Sequence, residues 1–431
     1  MATLSSQPYK GTRDYYPEQK RLQNYIFSTW RTVVERFGYE EYGSPILEPL
    51  DIYAAKSGQE LVNDQTYAFS DRGGRTVAIR PEMTPTISRM VAARRQELAY
   101  PARLYSIANF MRYERPQRGR EREFWQLNVD LFGVDTTHAD IEIITIADAI
   151  LKEFGAGKDD YVIRVNNRTF INYMMAQYLG LDVVAAGQMT KLFDRRGKIT
   201  EQDFDEQAAL ILGNESDERI AKIKQIIDAR SIDDLPVALQ QSSSLDEVKT
   251  VLDGIAKQGV TAAVFDATLM RGLDYYTGTV FEAFDTHPDN NRSLFGGGRY
   301  DGLVGMFGAE PLSAVGMAPG NTMFENFLAV HNLLPADASR TQVYVVVIGD
   351  ALEGAYGVAQ KLRHAGITTE VDISERKFDK QLKTGLKKNI PNILFVGQSE
   401  IAEGRYTLKN LENSDEEKLT VDEIISKLAR S

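Results

Sequence analysis

The segment Arg112–Arg122 carries five arginines within eleven residues, with Pro116 and Gly119 near its centre. Proline and glycine favour a loop at this point, and strand-like sequence lies on both sides, so we predict a β-hairpin with a cationic tip. The planar guanidinium group of arginine binds phosphate oxygens through two parallel hydrogen bonds, which suits phosphate chemistry. Taken alone, an arginine-rich hairpin is more often a solvated surface than a phosphate site.

The sequence that follows the hairpin alternates sharply between apolar and polar side chains. The apolar residues share one face, and they are Trp125, Leu127, Val129 and Leu131. The polar residues share the other face, and they are Gln126, Asn128 and Asp130. Arg112 and Glu114 share a face of the incoming strand by the same period of two. A polar front on a strand otherwise suited to a core predicts the floor of a site for a small polar molecule, and it favours the phosphate interpretation of the hairpin.

The hairpin resembles motif 2 of the class II aminoacyl-tRNA synthetases, in the form found in the histidyl-tRNA synthetases, through its core Arg112-Tyr-Glu-Arg-Pro-Gln117. Other segments similar to histidyl signatures occur in the expected order along the chain. Before the hairpin they are Gly11–Asp14, a motif 1 helix ending at Gly38 with Pro45 after it, and Arg80–Thr84, and after the hairpin they are Arg271–Tyr276 and Phe295–Asp301. A single piece would be weak, since most glycine clusters are only turns. The ordered set covers nearly the whole chain and is highly specific.

This resemblance implies a ligase that uses ATP to convert histidine to histidyl-adenylate and transfers the histidyl group to histidine tRNA. It also implies a homodimer that uses Mg²⁺. An alternative from another functional class is a non-catalytic, histidine-sensing regulatory subunit of ATP phosphoribosyltransferase. Such regulators typically lack an anticodon domain, whereas the sequence after Arg340 resembles the anticodon-binding domain of the histidyl, prolyl and threonyl enzymes. The ligase interpretation is therefore favoured.

The resemblance also assigns residues to histidine. These are Glu82, Met83, Thr84, Gln126, Asp130, Arg271, Tyr275 and Tyr276. Glu82 and Thr84 would receive the α-amino group, because a carboxylate is the natural partner of an ammonium group. Asp130 would accept a hydrogen bond from an imidazole nitrogen. Arg271 would be catalytic, stabilising charge near the carboxylate and the α-phosphate.

The other assignments concern ATP and tRNA. The residues for ATP are Arg112, Glu114, Arg120 and Arg122, and those for the tRNA acceptor end are Arg115 and Gln117. Arg112, the second catalytic residue, would contact the α-phosphate. In the C-terminal part, Arg376, Lys380, Lys383 and Lys387 form one stripe of a predicted helix. Such a stripe is usually the solvated face of an amphipathic helix, but the resemblance makes contacts to RNA phosphates an expectation.

Two positions depart from the family pattern. Motif 3 normally ends in Gly-x-Glu-Arg, and its arginine binds the ATP γ-phosphate, but here Thr322 and Met323 follow Gly320 and Asn321. Asp130 stands where the family usually has glutamate. Another cation must then offset the γ-phosphate charge, because burying that charge unpaired is costly. We expect it to come from Arg120 or Arg122 of the hairpin, or from bound Mg²⁺.

The elements that position these residues can be predicted from periodicity. A helical repeat runs from Leu22 to Phe37, with Gly38 as its C-terminal cap. The resulting fold class is α+β, with a class II antiparallel sheet flanked by helices, a helical insertion and a C-terminal α/β domain. The predicted boundaries are 1–168 and 258–330 for the catalytic core, 169–257 for the insertion, 331–340 for a linker and 341–431 for the anticodon-binding domain.

Composition adds exclusions. The net charge of −11 argues against a protein that coats nucleic acid, although a local basic groove remains compatible with it. The sequence holds no cysteine, and its four histidines lack metal-ligand spacing, so we expect neither disulfides nor a metal site built from protein ligands alone. No apolar run reaches about 18 residues, so a transmembrane helix is not expected. The first ten residues lack a signal-peptide pattern, and we expect a cytoplasmic protein.

Overall fold

The fold is known from a computed structural model, which describes residues 4–54, 64–213, 216–270, 275–290, 292–336 and 339–429. The chain divides into two compact units, Met1–Leu334 and Pro335–Ser431. Among the described residues, none of the helices combines the length and apolar character needed to cross a membrane.

The strands of the first unit are β1 (Glu40–Glu41), β2 (Leu47–Pro49), β3 (Ala68–Ser70), β4 (Thr76–Ile79), β5 (Ala102–Met111), β6 (Glu123–Phe132), β7 (Tyr161–Asn167), β8 (Ala263–Phe265), β9 (Thr279–Asp285), β10 (Ser293–Arg299) and β11 (Ala314–Met317). Within the described residues, eight of them form one sheet in the order β1-β5-β6-β11-β10-β9-β7-β8, and β2, β4 and β3 form a small sheet. The pairs β1–β5 and β7–β8 are parallel, and the other pairs of the large sheet are antiparallel.

The helices of the first unit are α1 (Pro17–Arg36), α2 (Asp51–Ala54), α3 (Thr84–Ala93), α4 (His138–Glu153), α5 (Arg168–Tyr173), α6 (Val183–Arg195), α7 (Glu201–Leu212), α8 (Ser216–Asp228), α9 (Val237–Gln240), α10 (Asp246–Lys257) and α11 (Asn321–Val330). The run from α5 to α10 lies between β7 and β8 and is the helical segment of this unit. With a mostly antiparallel sheet, flanking helices and a second α/β unit, the predicted fold class is confirmed.

The back of the large sheet is covered by helices. Leu127 and Val129 of β6 share one buried cluster with Trp30 of α1, Ile143 of α4 and Phe324 of α11. The predicted alternation along β6 is therefore confirmed, because its apolar side packs into the core. The α1 prediction is confirmed as well, and Gly38 ends that helix in the left-handed conformation with φ +80°. With the back covered, the polar side of β6 faces the front.

The second unit contains β12 (Val343–Ile348), α12 (Leu352–His364), β13 (Thr369–Val371), α13 (Phe378–Lys387), β14 (Asn392–Gly397), α14 (Gln398–Glu403), β15 (Tyr406–Asn410), β16 (Glu416–Leu419) and α15 (Val421–Leu428). Its sheet has the order β13-β12-β14-β15-β16, with the first three strands parallel and the last two antiparallel to their neighbours. Parallel strands joined by helices agree with the α/β domain predicted for this part of the chain.

Candidate active site

The arginine-rich segment is the loop of the β5–β6 hairpin, as predicted. β5 and β6 pair in register from Ala102 opposite Phe132 to Met111 opposite Glu123. Beyond the strands, the Arg112 N–H donates to the Arg122 carbonyl at 2.8 Å. The tip is a turn in which the N–H of Gln117 and the carbonyl of Arg120 pair at 3.1 Å. The exposed tip therefore extends from the end of the sheet's polar front.

Arg112 lies at the base of the hairpin with one fixed contact. Its Nε donates to the Pro81 carbonyl at 2.8 Å, and its guanidinium carbon lies 5.3 Å from the ring centroid of Phe124. Neither terminal nitrogen is paired with a protein group in the part of the chain that the structure describes. Anchored at Nε and supported by a ring, the side chain is oriented to bind an anion through its free edge.

The two arginines assigned to the γ-phosphate differ in their surroundings. Arg122 is buried, with its guanidinium carbon 4.1 Å from the Tyr113 ring centroid, and it donates to the Tyr9 hydroxyl at 3.0 Å and the Glu114 carbonyl at 3.2 Å. Arg120 has a side chain 57% exposed, and within the described residues its one polar contact is 3.5 Å long, to the Glu114 carboxylate. Of these two arginines, Arg120 is therefore the one whose side chain can reorient toward a ligand without breaking buried contacts.

The loop before α3 is anchored by Arg80. Its guanidinium group donates to the carbonyl of Asn109 at 2.9 Å and to that of Ser44 at 3.0 Å. This fixes the next turn, where Glu82 is buried and accepts a hydrogen bond from the Tyr275 hydroxyl at 3.1 Å. A buried, oriented carboxylate is well suited to bind an ammonium group.

The neighbours of Glu82 have different orientations. Met83 is buried, and its sulfur accepts a hydrogen bond from the Ser44 hydroxyl at 3.3 Å, so its side chain packs in the protein. Thr84 begins α3, and its carbonyl accepts the Ser88 hydroxyl at 2.8 Å. Gln126, on the front of β6, donates to the Ala318 carbonyl at 3.1 Å and so ties the floor to the strand that precedes α11.

Asp130 is a buried residue of the floor. Tyr300 donates a 2.5 Å hydrogen bond to its Oδ1, and both residues are buried. Burial raises the pKa of Asp130 to about 7, and the bond from Tyr300 opposes that shift. Burial, and then the Asp130 charge, also raise the pKa of Tyr300, which keeps it a neutral donor. This carboxylate can therefore change its charge near neutral pH.

Glycines make room for these groups. A Cβ at Gly316 would lie 2.3 Å from Asp130 Oδ1, and a Cβ at Gly298 would lie 2.8 Å from the Tyr276 ring. The Tyr275 ring contacts those of Tyr276 and Tyr300, with centroids 5.0 Å and 6.0 Å away. Close approach to ring and carboxylate is thus the physical reason for glycine in this part of the sheet.

The start of α11 contacts the hairpin through Thr322 and Met323, which occupy the positions where the motif 3 pattern has an acidic residue and an arginine. A Cβ at Gly119 of the hairpin tip would lie 2.4 Å from the Met323 sulfur, so the two segments touch. The Thr322 hydroxyl lies 3.5 Å from the Glu121 carboxylate. Arg13 joins the same carboxylate, at 3.1 Å, to Glu325 of α11, at 2.6 Å. This bridge, which sequence analysis did not assign, holds the hairpin, the N-terminal segment and α11 together.

A cavity of about 410 Å³ opens beside the hairpin loop. Its lining includes Lys10, Tyr113, Arg115 and Arg122. Gln117 lies beyond it in the exposed tip. Three basic side chains and an aromatic ring suit an RNA strand, because bases stack on rings and phosphates pair with cations.

The predicted site residues that the structure describes fall into two groups. Those held in or beside the floor are Arg112, Glu82, Met83, Thr84, Gln126, Asp130, Tyr275 and Tyr276, and those on the hairpin loop are Glu114, Arg115, Gln117, Arg120 and Arg122. Arg271 lies outside the described residues. Within the described ranges, no group of three His, Cys, Asp or Glu side chains is arranged to hold a metal ion.

The second unit carries the other basic region. Lys380, Lys383 and Lys387 are exposed on α13. Arg376, just before the helix, donates to Asp372 at 3.0 Å and is partly engaged. The helix packs on its sheet through Gln381, whose amide bonds both the N–H and the carbonyl of Val347. The lysine stripe is therefore open to solvent.

Comparison with known proteins agrees with this geometry. Residues 11–320 match the family model described as histidyl-tRNA synthetase, and residues 342–431 match an anticodon binding domain. A histidine–tRNA ligase of Leptospira biflexa is 40% identical over 429 residues, which covers 99% of this chain and 98% of the relative. One from Haloarcula marismortui is 36% identical over 413 residues and covers 94% of each chain.

The structure of a histidyl-tRNA synthetase from Nostoc sp. PCC 7120 is also similar. It superposes with a TM-score of 0.84 at 26% identity and covers 99% of this chain and 100% of its own. Sequence and fold agree along essentially the full length of the relatives. The chain therefore belongs to the histidyl-tRNA synthetase family.

Proposed function

We propose that this chain is a histidine–tRNA ligase that activates histidine with ATP and esterifies histidine tRNA. The observation that carries the proposal is the arrangement along one sheet front of a buried ammonium partner, Glu82, a buried imidazole partner, Asp130, and an anchored phosphate partner, Arg112. Family membership over both matched domains supports it. The site and the family together imply ATP, histidine and tRNA as substrates.

Histidine is proposed to bind by its two ends. Glu82, aided by Thr84, receives the α-amino group, and Met83 contributes backbone because its side chain is packed. Asp130 accepts the ring N–H, and Gln126 borders the same floor. The rings of Tyr275 and Tyr276 enclose the imidazole. Binding histidine at both ends aligns its carboxylate for attack on ATP. Such alignment supplies a large part of the rate enhancement that positioning gives to adenylation.

The chemistry proceeds in two transfers. A carboxylate oxygen of histidine attacks the α-phosphorus of ATP, the bond to the bridging oxygen breaks, and pyrophosphate leaves. A ribose hydroxyl of the terminal tRNA adenosine then attacks the adenylate carbonyl, and AMP leaves. Arg112 and Arg271 are proposed to stabilise the charge that develops on the α-phosphate, with Glu114 on the same strand face as Arg112. Arg120 is proposed to reach the γ-phosphate.

The donor set is compatible with Mg²⁺ brought in by ATP. Mg²⁺ usually takes one or two protein carboxylates and fills its other positions with phosphate oxygens and water, so a full protein cage is not needed. Glu282, opposite Gly296 in the sheet front, offers such a carboxylate and accepts a 2.5 Å bond from Ser293. When bound, the ion would neutralise phosphate charge.

Binding of tRNA is proposed at two places. Arg115 and Gln117 of the hairpin would meet the acceptor end beside the 410 Å³ cavity. The lysine stripe of α13 would contact phosphates near the anticodon. A homodimer formed through the motif 1 region and a cytoplasmic location complete the proposal.

The regulatory-subunit alternative is less well supported. A regulator that only senses histidine requires neither an anticodon-binding domain nor a phosphate-binding arginine at the hairpin base. This chain matches an anticodon-binding domain over residues 342–431. The histidine-binding floor alone would suit either a ligase or a regulatory subunit. An activity assay is therefore needed to distinguish the two functions.

The test is histidine-dependent exchange of pyrophosphate into ATP, followed by charging of histidine tRNA, with Mg²⁺ supplied. We expect both activities, and Asp130→Ala should raise the histidine concentration needed. A protein that binds histidine but exchanges no pyrophosphate, and that activates a phosphoribosyltransferase, would be the regulator instead. Light scattering at micromolar concentration tests the dimer.

A further inference from the structure

Three buried polar atoms at the imidazole end of the site lack a hydrogen-bond partner among the described residues. They are the hydroxyls of Tyr42 and Ser106 and the Oδ2 atom of Asp130. Folded proteins pair nearly all such atoms, because an unpaired buried polar group costs free energy. Three of them together indicate a place where a ligand supplies the missing partners.

The sheet brings these groups to neighbouring strands. Tyr42 directly follows β1, and its N–H donates to the Tyr105 carbonyl of β5 at 2.8 Å. Ser106 is the next residue of β5, two positions from Leu104, which is opposite Asp130 of β6. Since alternate residues share a face, Ser106 and Asp130 both lie on the front. The long side chain of Tyr42 reaches the same region from the adjoining strand.

Electrostatic coupling agrees with this placement. Burial, followed by the charge of Asp130, raises the pKa of the Tyr42 hydroxyl, with the neighbouring Ser106 hydroxyl partly offsetting them. Tyr42 is therefore a neutral donor that senses the Asp130 carboxylate. Asp130 uses Oδ1 for Tyr300, so Oδ2 is the atom left to the ligand.

We propose that Tyr42 and Ser106 are specificity-determining residues for the imidazole ring of histidine, acting with Asp130. The inference rests on the proposed function and extends its substrate pocket. The ring N–H donates to Asp130 Oδ2, and the hydroxyls of Tyr42 and Ser106 complete the hydrogen bonding of the polar atoms that surround the ring. A ring without nitrogen leaves all three atoms buried and unpaired, which is how a polar site rejects an apolar analogue.

The test uses Tyr42→Phe and Ser106→Ala, each of which removes a hydroxyl and little else. In pyrophosphate exchange, we expect the KM for histidine to rise about 5- to 10-fold in each variant, the size expected for one lost hydrogen bond, with kcat and the KM for ATP within about twofold. The preference for histidine over thienylalanine, whose ring lacks nitrogen, should narrow by the same factor. Because neither hydroxyl makes a hydrogen bond of standard geometry to the described residues, Tm should change little.

Tyr105→Phe is the matched control. Tyr105 is the neighbour of Ser106 on β5 but points to the opposite face, where its hydroxyl donates to Glu35 at 2.7 Å. Its loss should leave both Michaelis constants and the analogue preference unchanged while lowering Tm.

Two results would overturn the proposal. An unchanged KM for histidine in both pocket variants would show that the hydroxyls do not meet the ring. A fall in Tm with kcat and both Michaelis constants altered together would assign them a structural role. If the wild-type protein itself exchanged no pyrophosphate, the proposed function would fail first, and titration calorimetry with histidine would still test the pocket.

Discussion

The two ends of the active site differ in how far the protein itself completes them. At the histidine end, Glu82, Asp130 and Tyr300 are buried, and each already has a protein partner. At the ATP end, Arg120 is mostly exposed, and Arg112 is anchored only at its base. The proposed histidine end is thus organised before a ligand arrives, whereas the proposed ATP end would become complete only when the nucleotide binds.

The difference has a cause at the start of α11. The motif 3 resemblance predicts an arginine there, whereas this chain has Met323, whose sulfur packs against the hairpin at Gly119. The bridge from Arg13 to Glu121 and Glu325 then fixes the base of the hairpin and α11 against each other. A packed contact and an ion-pair network thus stand where a phosphate-binding cation is expected, so the proposed function needs a cation from the exposed hairpin tip to offset the γ-phosphate charge.

The largest expected effect tests the organised end. Between pH 4 and pH 7 the folded protein should hold a proton on Asp130 that the unfolded chain releases, because burial raises the pKa of Asp130 to about 7 from its ordinary 3.8. Stability should therefore fall as pH rises through this window and level off above it, by at most about 4 kcal/mol. Asp130→Asn removes the titration and can still accept from Tyr300.

Denaturant unfolding of the two proteins at several pH values measures this effect. The stability difference between Asp130→Asn and wild type should grow from pH 4 to pH 7 and then remain constant. A difference in unfolding free energy that does not vary with pH would mean that Asp130 stays ionised in the folded protein. The surroundings of Asp130 would then be more polar than its contacts indicate.

Removing Arg112 tests the shared middle of the site. Arg112→Ala should lower the rate of adenylation by about 10²–10³, since a charge aimed at the α-phosphate acts mainly in the transition state. Histidine binding, measured by calorimetry, should change little because Glu82 and Asp130 are held independently. Arg112→Lys, which keeps the charge but not the planar fork, should recover only part of the rate. If Arg112→Ala weakened histidine binding as strongly as the rate, the two ends would not be separable.

Much of the framework was predictable because it depends on local pattern. The apolar run Val343–Ile348 predicts a strand and the helical repeat Leu352–His364 predicts a helix, and these bounds coincide with those of β12 and α12. The strand-like run Tyr39–Pro45 predicts one strand over its whole length, and this is too long, since only Glu40 and Glu41 pair with β5 as β1. The β15–β16 hairpin was not predicted, because β16, with three charged residues, carries no strand-like apolar alternation.

The candidate site was predictable only where motifs carry it. Tyr300 lies 170 residues from Asp130 in sequence, so their hydrogen bond leaves no spacing signal. Arg13 and Glu325 are 312 residues apart, and the same limit applies to them. On α13, Gln381 and Gly385 are buried, while Phe378 is 40% and Leu386 46% exposed. A buried glutamine that bonds a strand backbone cannot be recognised from hydrophobic periodicity, because its partners belong to the tertiary structure.

The smallest expected effect separates the two hairpin arginines at the ATP end. Arg120→Ala should raise the KM for ATP several-fold while leaving the KM for histidine and Tm unchanged, because the side chain is exposed and its one contact is long. Arg122→Ala should lower Tm, because this guanidinium group joins the Tyr9 hydroxyl, the Tyr113 ring and the Glu114 carbonyl. Any rise in the KM for ATP in that variant should accompany loss of hairpin structure.

Steady-state pyrophosphate exchange and thermal unfolding of both variants measure these effects, and Arg118→Ala at the same tip is the control for general loss of positive charge. If Arg120→Ala and Arg118→Ala change the KM for ATP equally, the tip arginines act only through their long-range electrostatic field. Mg²⁺ must then offset the γ-phosphate charge, because Met323 cannot do so.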